Sequence, residues 1–340
     1  MSAAAQYAYL HARVSALASG LSQEGDFHTL LEDTLDEPTI LARIGLNVAP
    51  GITLEQTLFN RLLADVQILV RPTSGGARDL LIHWVRRHEL SNLKAMIRGR
   101  LIGRTSAEIR EELIDLGPFS VLPVAELLQS EDVLEMLRRL ETTPYGEVAR
   151  QARAAFEARN EWLAVDAAID RHYYAGLSSR ARALSASDQQ YLRPLLGAIL
   201  DRINLLWLLR YRFVYQLAPA HTYYLLVPAG GHLTGDPLRA LVGMGSMEEV
   251  IRALPAPLYS IVEGAVTLTE VEDRMVCELV RRAETVLNRA VFSVARAFAY
   301  LVLRTYQLQR IHILLRGKQL RLSKTLITDT VSCPRSVHHV

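Results

Sequence analysis

Glu89, Asn92 and Arg98 lie in HELSNLKAMIRGR (88–100), and Asp201, Asn204 and Arg210 lie in DRINLLWLLRYR (201–212). Both segments read acid, two residues, Asn, five residues, Arg. An enzymatic use of this pattern would be acid–base work by Glu89 and Asp201, the only repeated acids, in a pocket that perturbs them. No other catalytic pattern accompanies them. HExxH, GxSxG and a Cys–His arrangement are absent. Glu248 and Glu249 are adjacent, so on a helix they point in different directions. TSGGARD (73–79) and PAGGHLTGD (228–236) lack the GxxxxGK[ST] spacing that cradles phosphates. We therefore expect no catalytic residue, no cofactor, no metal and no direct nucleotide binding.

The elements that must position these residues read as helices. Leu, Ala, Arg and Glu dominate, and apolar residues recur at three and four. The long helical runs are 147–177 and 271–318. The best alternating, strand-like stretch is TYYLLV (222–227), which could equally end a helix. The opening pattern recurs a third time from Gln307, where Arg310 replaces Asn and Arg316 keeps the final position. Apolar residues recur with it: Leu93, Met96 and Ile97; Leu205, Leu208 and Leu209; Ile311, Leu314 and Leu315. These offsets form one helical stripe. Glu89, Asp201 and Gln307 fall on its edge and are expected to be partly buried with hydrogen-bond partners. The arginines point to the opposite face. Arg98-Gly99 and Arg316-Gly317 suit helix C-termini. A second echo joins SEDVLEMLRRLETTPY (130–145) to SMEEVIRALPAPLY (246–259), each expected to be N-capped by its Ser. The expected organisation is all-α, with repeat units 1–116, 117–232 and 233–325 and a tail 326–340.

Composition narrows the classes. Half of the 340 residues are hydrophobic, enough for a large core. The 38 Lys+Arg against 36 Asp+Glu leave a net charge of +2, which disfavours nucleic acid as a partner. Cys277 and Cys333 lie far apart and are expected to be reduced, small apolar residues. The first 22 residues read as an amphipathic helix rather than a signal peptide. INLLWLLRYRFVYQLA (203–218) contains Arg210 and Arg212 and is too short to span a bilayer.

ELSNLKAMIRGRL, AIDRHYYAGL (168–177), PAGGHL (228–233) and the head ending TPYG (143–146) resemble the C subunit of the archaeal and bacterial A/V-type rotary ATPases, the counterpart of the d subunit of eukaryotic V-ATPase. The resemblance covers nearly the whole chain and rests on the ordered set of motifs. It implies a funnel-shaped, all-helical body of three related domains. Such a protein is a non-catalytic rotor part of the central stalk. Its partners are the central shaft subunits and the membrane proteolipid ring. It acts in ion transport on the cytoplasmic face of the membrane. Gln307 and Arg310 depart from the family pattern, and CPRSVHHV at the tail matches nothing in it.

Several features admit two readings. Arg98, Arg210 and Arg316 are the candidates for partner contact. Glu89, Asn92, Asp201, Asn204 and Gln307 either line such a surface or fix the register of neighbouring helices. Arg171-His172-Tyr173-Tyr174 is either a contact surface or core packing. The region from Arg304 to Arg335 is basic, with Asp329 as its single acid. It could attract anionic lipid headgroups or an acidic partner, or simply solvate a helix face. The alternative to the rotor subunit is a free-standing helical repeat scaffold binding protein partners, although common solenoid repeats are shorter.

Overall fold

The computed structural model describes residues 3–21, 27, 29–31, 36–159 and 162–331. Among these are seventeen α-helices and no strand. They are α1 (Ala3–Ala18), α2 (Glu37–Arg43), α3 (Leu54–Val70), α4 (Gly75–Leu101), α5 (Ser106–Glu111), α6 (Val124–Leu127), α7 (Val133–Leu140), α8 (Gly146–Arg159) and α9 (Trp162–Arg182). Then come α10 (Ala186–Leu209), α11 (Pro219–Leu225), α12 (Gly235–Val242), α13 (Met247–Arg252), α14 (Ala256–Val262), α15 (Leu268–Arg289), α16 (Val294–Gln319) and α17 (Lys324–Val331). The fold is all-α.

Helix starts follow side-chain chemistry. Thr53, Thr105, Ser246, Thr267 and Ser293 each accept a backbone N–H of the first turn. At Thr105 the Glu108 side chain reaches back to the cap N–H and completes a capping box. The expected cap at Ser130 is displaced. Asp132 caps α7, accepting the Glu135 N–H at 2.7 Å, while Ser130 is buried two residues earlier. A carboxylate accepts more strongly than a hydroxyl, so the acid wins the position. TYYLLV does end a helix: Thr222–Leu225 closes α11, and the chain is extended at Leu226.

By proximity the chain divides into two compact units. One comprises Met1–Leu81, Ser185–Ala198 and Gly264–Val340; the other comprises Ile82–Leu184 and Ile199–Glu263. This grouping is by contact. The boundaries at 116 and 232 group the chain by likeness of sequence. In the first unit α16 packs against α15, α3, α1 and α17. Apolar side chains are buried around its whole circumference, among them Phe298, Tyr300, Leu301 and Val302, as a central helix requires. In the second unit Leu90, Leu93, Met96 and Ile97 of α4 meet Val133, Met136, Leu137 and Leu140 of α7 and Val165, Ile169 and Tyr173 of α9. Each such fully buried side chain contributes about 1.5–3 kcal/mol. Tyr173 is therefore core, while Arg171 donates from its guanidinium to the Tyr224 carbonyl at 3.0 Å.

No helix among the described residues is long and apolar enough to cross a membrane. The apolar segment from Ile203 is instead divided between α10 and a π turn, Arg210–Val214. Cys277 is disulfide-bonded, against the expectation of a reduced thiol. Residues 332–340, with His338-His339 and most of the tail, lie outside the described residues.

Candidate functional site

The repeated polar residues form two clamps of one design. Glu89, buried on α4, accepts from the Ser120 hydroxyl at 2.9 Å and from the Val121 and Leu122 N–H groups at 2.5 and 2.6 Å. The Tyr145 hydroxyl donates to its other oxygen. Three positions on, Asn92 brackets Ile114: its carbonyl accepts the Ile114 N–H at 3.0 Å, and its amide donates to the Ile114 carbonyl at 2.7 Å. Asp201, buried on α10, accepts from the Gly231, His232 and Leu233 N–H groups at 2.9–3.0 Å. Asn204 accepts the Val227 N–H at 2.9 Å and donates to the Val227, Ala229 and Leu233 carbonyls, each at 3.1 Å. In both copies an acid grips a run of backbone N–H groups and an Asn grips a backbone residue upstream of it.

This geometry leaves the acids little chemistry. Each is buried, and its oxygens accept from several donors. Burial, with the Glu89 carboxylate beside it, pushes the Tyr145 phenol far above its usual range. Among the described residues, no group of three or more His, Cys, Asp or Glu could hold a metal ion.

The third copy is built differently. Gln307 accepts from Arg304, whose Nε donates to Asp65 at 2.9 Å. The Tyr300 hydroxyl donates to the same Asp65 oxygen at 2.7 Å. The carboxylate missing from position 307 is thus supplied by α3. Arg310 lies 4.0 Å over the Phe27 ring. Sequence reasoning missed Asp65. Its signal is a charge inside the apolar stripe Leu62, Val66 and Leu69, where it must have a partner.

The three final arginines differ. Arg98 is exposed, 5.6 Å over the Trp162 ring. Arg210 is half-buried at the start of the π turn. Arg316 is exposed but engaged, donating to Glu55 at 2.6 Å and to Gln319 at 3.0 Å. Burial alone would raise the Glu55 carboxyl. Hydrogen bonds from its own backbone N–H, Arg316 and His312 outweigh that and hold it at about 2.

A second basic position, two residues later, was also missed. Arg100 donates to the Ser106 hydroxyl at 2.9 Å and to the Leu128 carbonyl. Arg212 donates to the Val242, Leu217 and Met244 carbonyls. Lys318 holds the same place in the third copy. The repeat of a cation at this offset was the available signal.

The helix ends match as well. After Gly99 and after Gly317 the chain turns at once into α5 and α17. The Gly99 carbonyl accepts the Arg104 N–H, and the Gly317 carbonyl accepts the Leu322 N–H, both at 2.9 Å. An added Cβ would lie 2.5 Å from Ile109 Cγ1 at the first corner and 2.7 Å from Ile327 Cγ1 at the second. Glycine is needed there for close approach. The left-handed turn residue is Gly103 (φ 74°) at the first corner and Arg321 (φ 54°) at the second. At the middle copy Tyr211 takes the glycine's place, and α10 ends in the π turn instead.

The profile of the ATP synthase (C/AC39) subunit family matches residues 10–330. The A-type ATP synthase C subunit of Methanosarcina mazei is 25% identical over 336 residues, covering 95% of this chain and 92% of its own. The protein of that name from Methanocaldococcus jannaschii is 22% identical, covering 92% and 83%. That from Haloquadratum walsbyi is 23% identical, covering 93% and 95%. With its profile match spanning nearly the whole of its length, the chain belongs to the ATP synthase (C/AC39) subunit family.

Proposed function

We propose that this protein is a non-catalytic central-stalk rotor subunit of an A/V-type rotary ATPase, a socket that couples the central shaft to the membrane proteolipid ring during ion transport. The observation that carries the proposal is the family match over residues 10–330. Glu89 and Asp201 act in this reading as anchors for backbone N–H groups. In this reading three repeat units, 1–116, 117–232 and 233–325, offer broad contacts that resist slipping without any catalytic residue. Arg98 and Arg210 are the partner contacts. Arg316 is a third, held by its pairing with Glu55. The protein is peripheral on the cytoplasmic face, held there by the complex.

The test is an affinity pull-down of the full chain from native, detergent-solubilised membranes, read by mass spectrometry. Recovery of shaft and proteolipid subunits, lost together when the chain is absent, is the expected result. A chain recovered without membrane ATPase subunits overturns the proposal.

A further inference from the structure

The two glycine corners share a backbone design but not a surface. Both expose apolar side chains. At the first, Leu101 is 43% exposed and Ile102 is 66% exposed. At the second, Leu320 is 70%, Leu322 is 43% and Leu326 is 51% exposed. Their charge differs. Around the first corner Arg98, Arg100, Arg104 and Arg110 stand beside Glu108, Glu111 and Glu112, and Arg104 is ion-paired to Glu112. Around the second, the equivalent span 316–330 holds Arg316, Lys318, Arg321 and Lys324 with Asp329 as its one acid, and Glu37 accepts from Gln319. Glu55 offsets Arg316, but Arg321 and Lys324 project from the exposed face beside the leucines.

Arg321 carries a further signal. Its φ of 54° lies in the left-handed region, where the first corner uses Gly103. A non-glycine residue there is strained, as are Gln216 and Phe292 elsewhere among the described residues, and strain of this kind points to a use for the side chain. What stands there is an exposed arginine in the stretch that carries the exposed Leu320, Leu322 and Leu326.

We infer that the corner from Leu320 to Leu326 docks on an anionic bilayer surface, its leucines entering the headgroup layer while Arg321 and Lys324 pair with lipid phosphates. Exposed leucines bordered by cations are the chemistry of interfacial lipid binding. A protein interface of ordinary strength needs a broader patch and favours aromatic anchors, and this corner has none. The first corner, with equal backbone and balanced charge, is an internal control. This inference does not rest on the rotor proposal, since it concerns the chain alone.

The experiment is co-sedimentation of the full chain with vesicles of phosphatidylcholine alone and of phosphatidylcholine mixed equally with phosphatidylglycerol. Binding only to the anionic vesicles, weakened by added salt, is expected. Arg321→Gly with Lys324→Ser lowers partitioning by roughly thirtyfold, at about fivefold per charge, while Tm holds or rises because glycine relieves the turn. Leu320→Ser with Leu322→Ser also weakens binding, and Leu101→Ser with Ile102→Ser leaves it unchanged. The inference is overturned if the unmodified chain ignores anionic vesicles, or if the first-corner variant loses as much. Retention on an acidic protein without vesicle binding would assign the corner to that partner and overturn it equally.

Discussion

At the scale of single residues, the molecule uses buried charge to hold its own backbone. Glu89 is met by four donors on two segments. Glu89→Gln keeps the shape but turns an amide donor toward groups that also donate. It should cost about 2–4 kcal/mol, read as a lower urea midpoint with an unchanged slope. His83 gives a second prediction. Its Nε2 lies 2.9 Å from the Tyr173 carbonyl, and its ring stacks on Tyr173 at 4.7 Å. Burial, aided by Arg180, Arg86 and His172 and opposed by the Tyr173 hydrogen bond, holds its pKa at about 4. The unfolded chain protonates His83 near its ordinary value of 6.5. Between pH 6.5 and 4 the unfolded state therefore binds the extra proton, and stability falls as pH falls. The full span is on the order of 3 kcal/mol. Denaturation at pH 7 and pH 5 should show the loss, and His83→Phe should flatten it while lowering stability at pH 7.

At the scale of elements, the corner of glycine against isoleucine decides whether α4 and α16 can turn back tightly. Gly99→Ala gains about 1 kcal/mol of helix propensity but drives its Cβ into Ile109. Overpacking of this kind costs about 1–3 kcal/mol. Combining it with Ile109→Ala should recover part of that loss, visible as a coupling energy in a double-mutant cycle. A purely additive cycle would show that the contact does not set the corner. The apolar stripe through Leu93, Met96 and Ile97 was legible in the sequence, because helical period and burial are the same fact seen twice. The pairing of Gly99 with Ile109 was not legible. It depends on the direction in which α5 leaves the corner, which no local pattern encodes. Nor was the change from Ser130 to Asp132 as cap, since both residues are competent and only their placement chooses between them.

At the scale of the whole molecule, the prediction concerns coupling. Arg98→Glu with Arg210→Glu should leave the fold within about 1 kcal/mol, because one arginine is exposed over Trp162 and the other is half-buried at the start of the π turn. Ion pumping per ATP hydrolysed in the assembled complex should fall, with a loss of roughly tenfold in affinity for the partner. Unchanged pumping would remove these arginines from the contact. The all-helical class and the family were legible from motif order across the chain. Asp65 was not, because its partners Tyr300 and Arg304 come from the far end of the sequence. Long-range pairing of this kind leaves only a misplaced charge as its trace.

Both clamps hold main chain, and the first also takes the hydroxyls of Ser120 and Tyr145. Glu89 holds the N–H groups of Val121 and Leu122, and Asp201 holds those of Gly231, His232 and Leu233. Such a grip is blind to the identity of what it holds: every residue except proline offers the same hydrogen. Packing, not the grip, restricts the side chains there: Leu122 and Leu233 are buried, and a Cβ on Gly230 would lie 2.5 Å from the Leu233 carbonyl oxygen. As far as the hydrogen bonds go, proline is the one forbidden letter at the gripped positions of either loop.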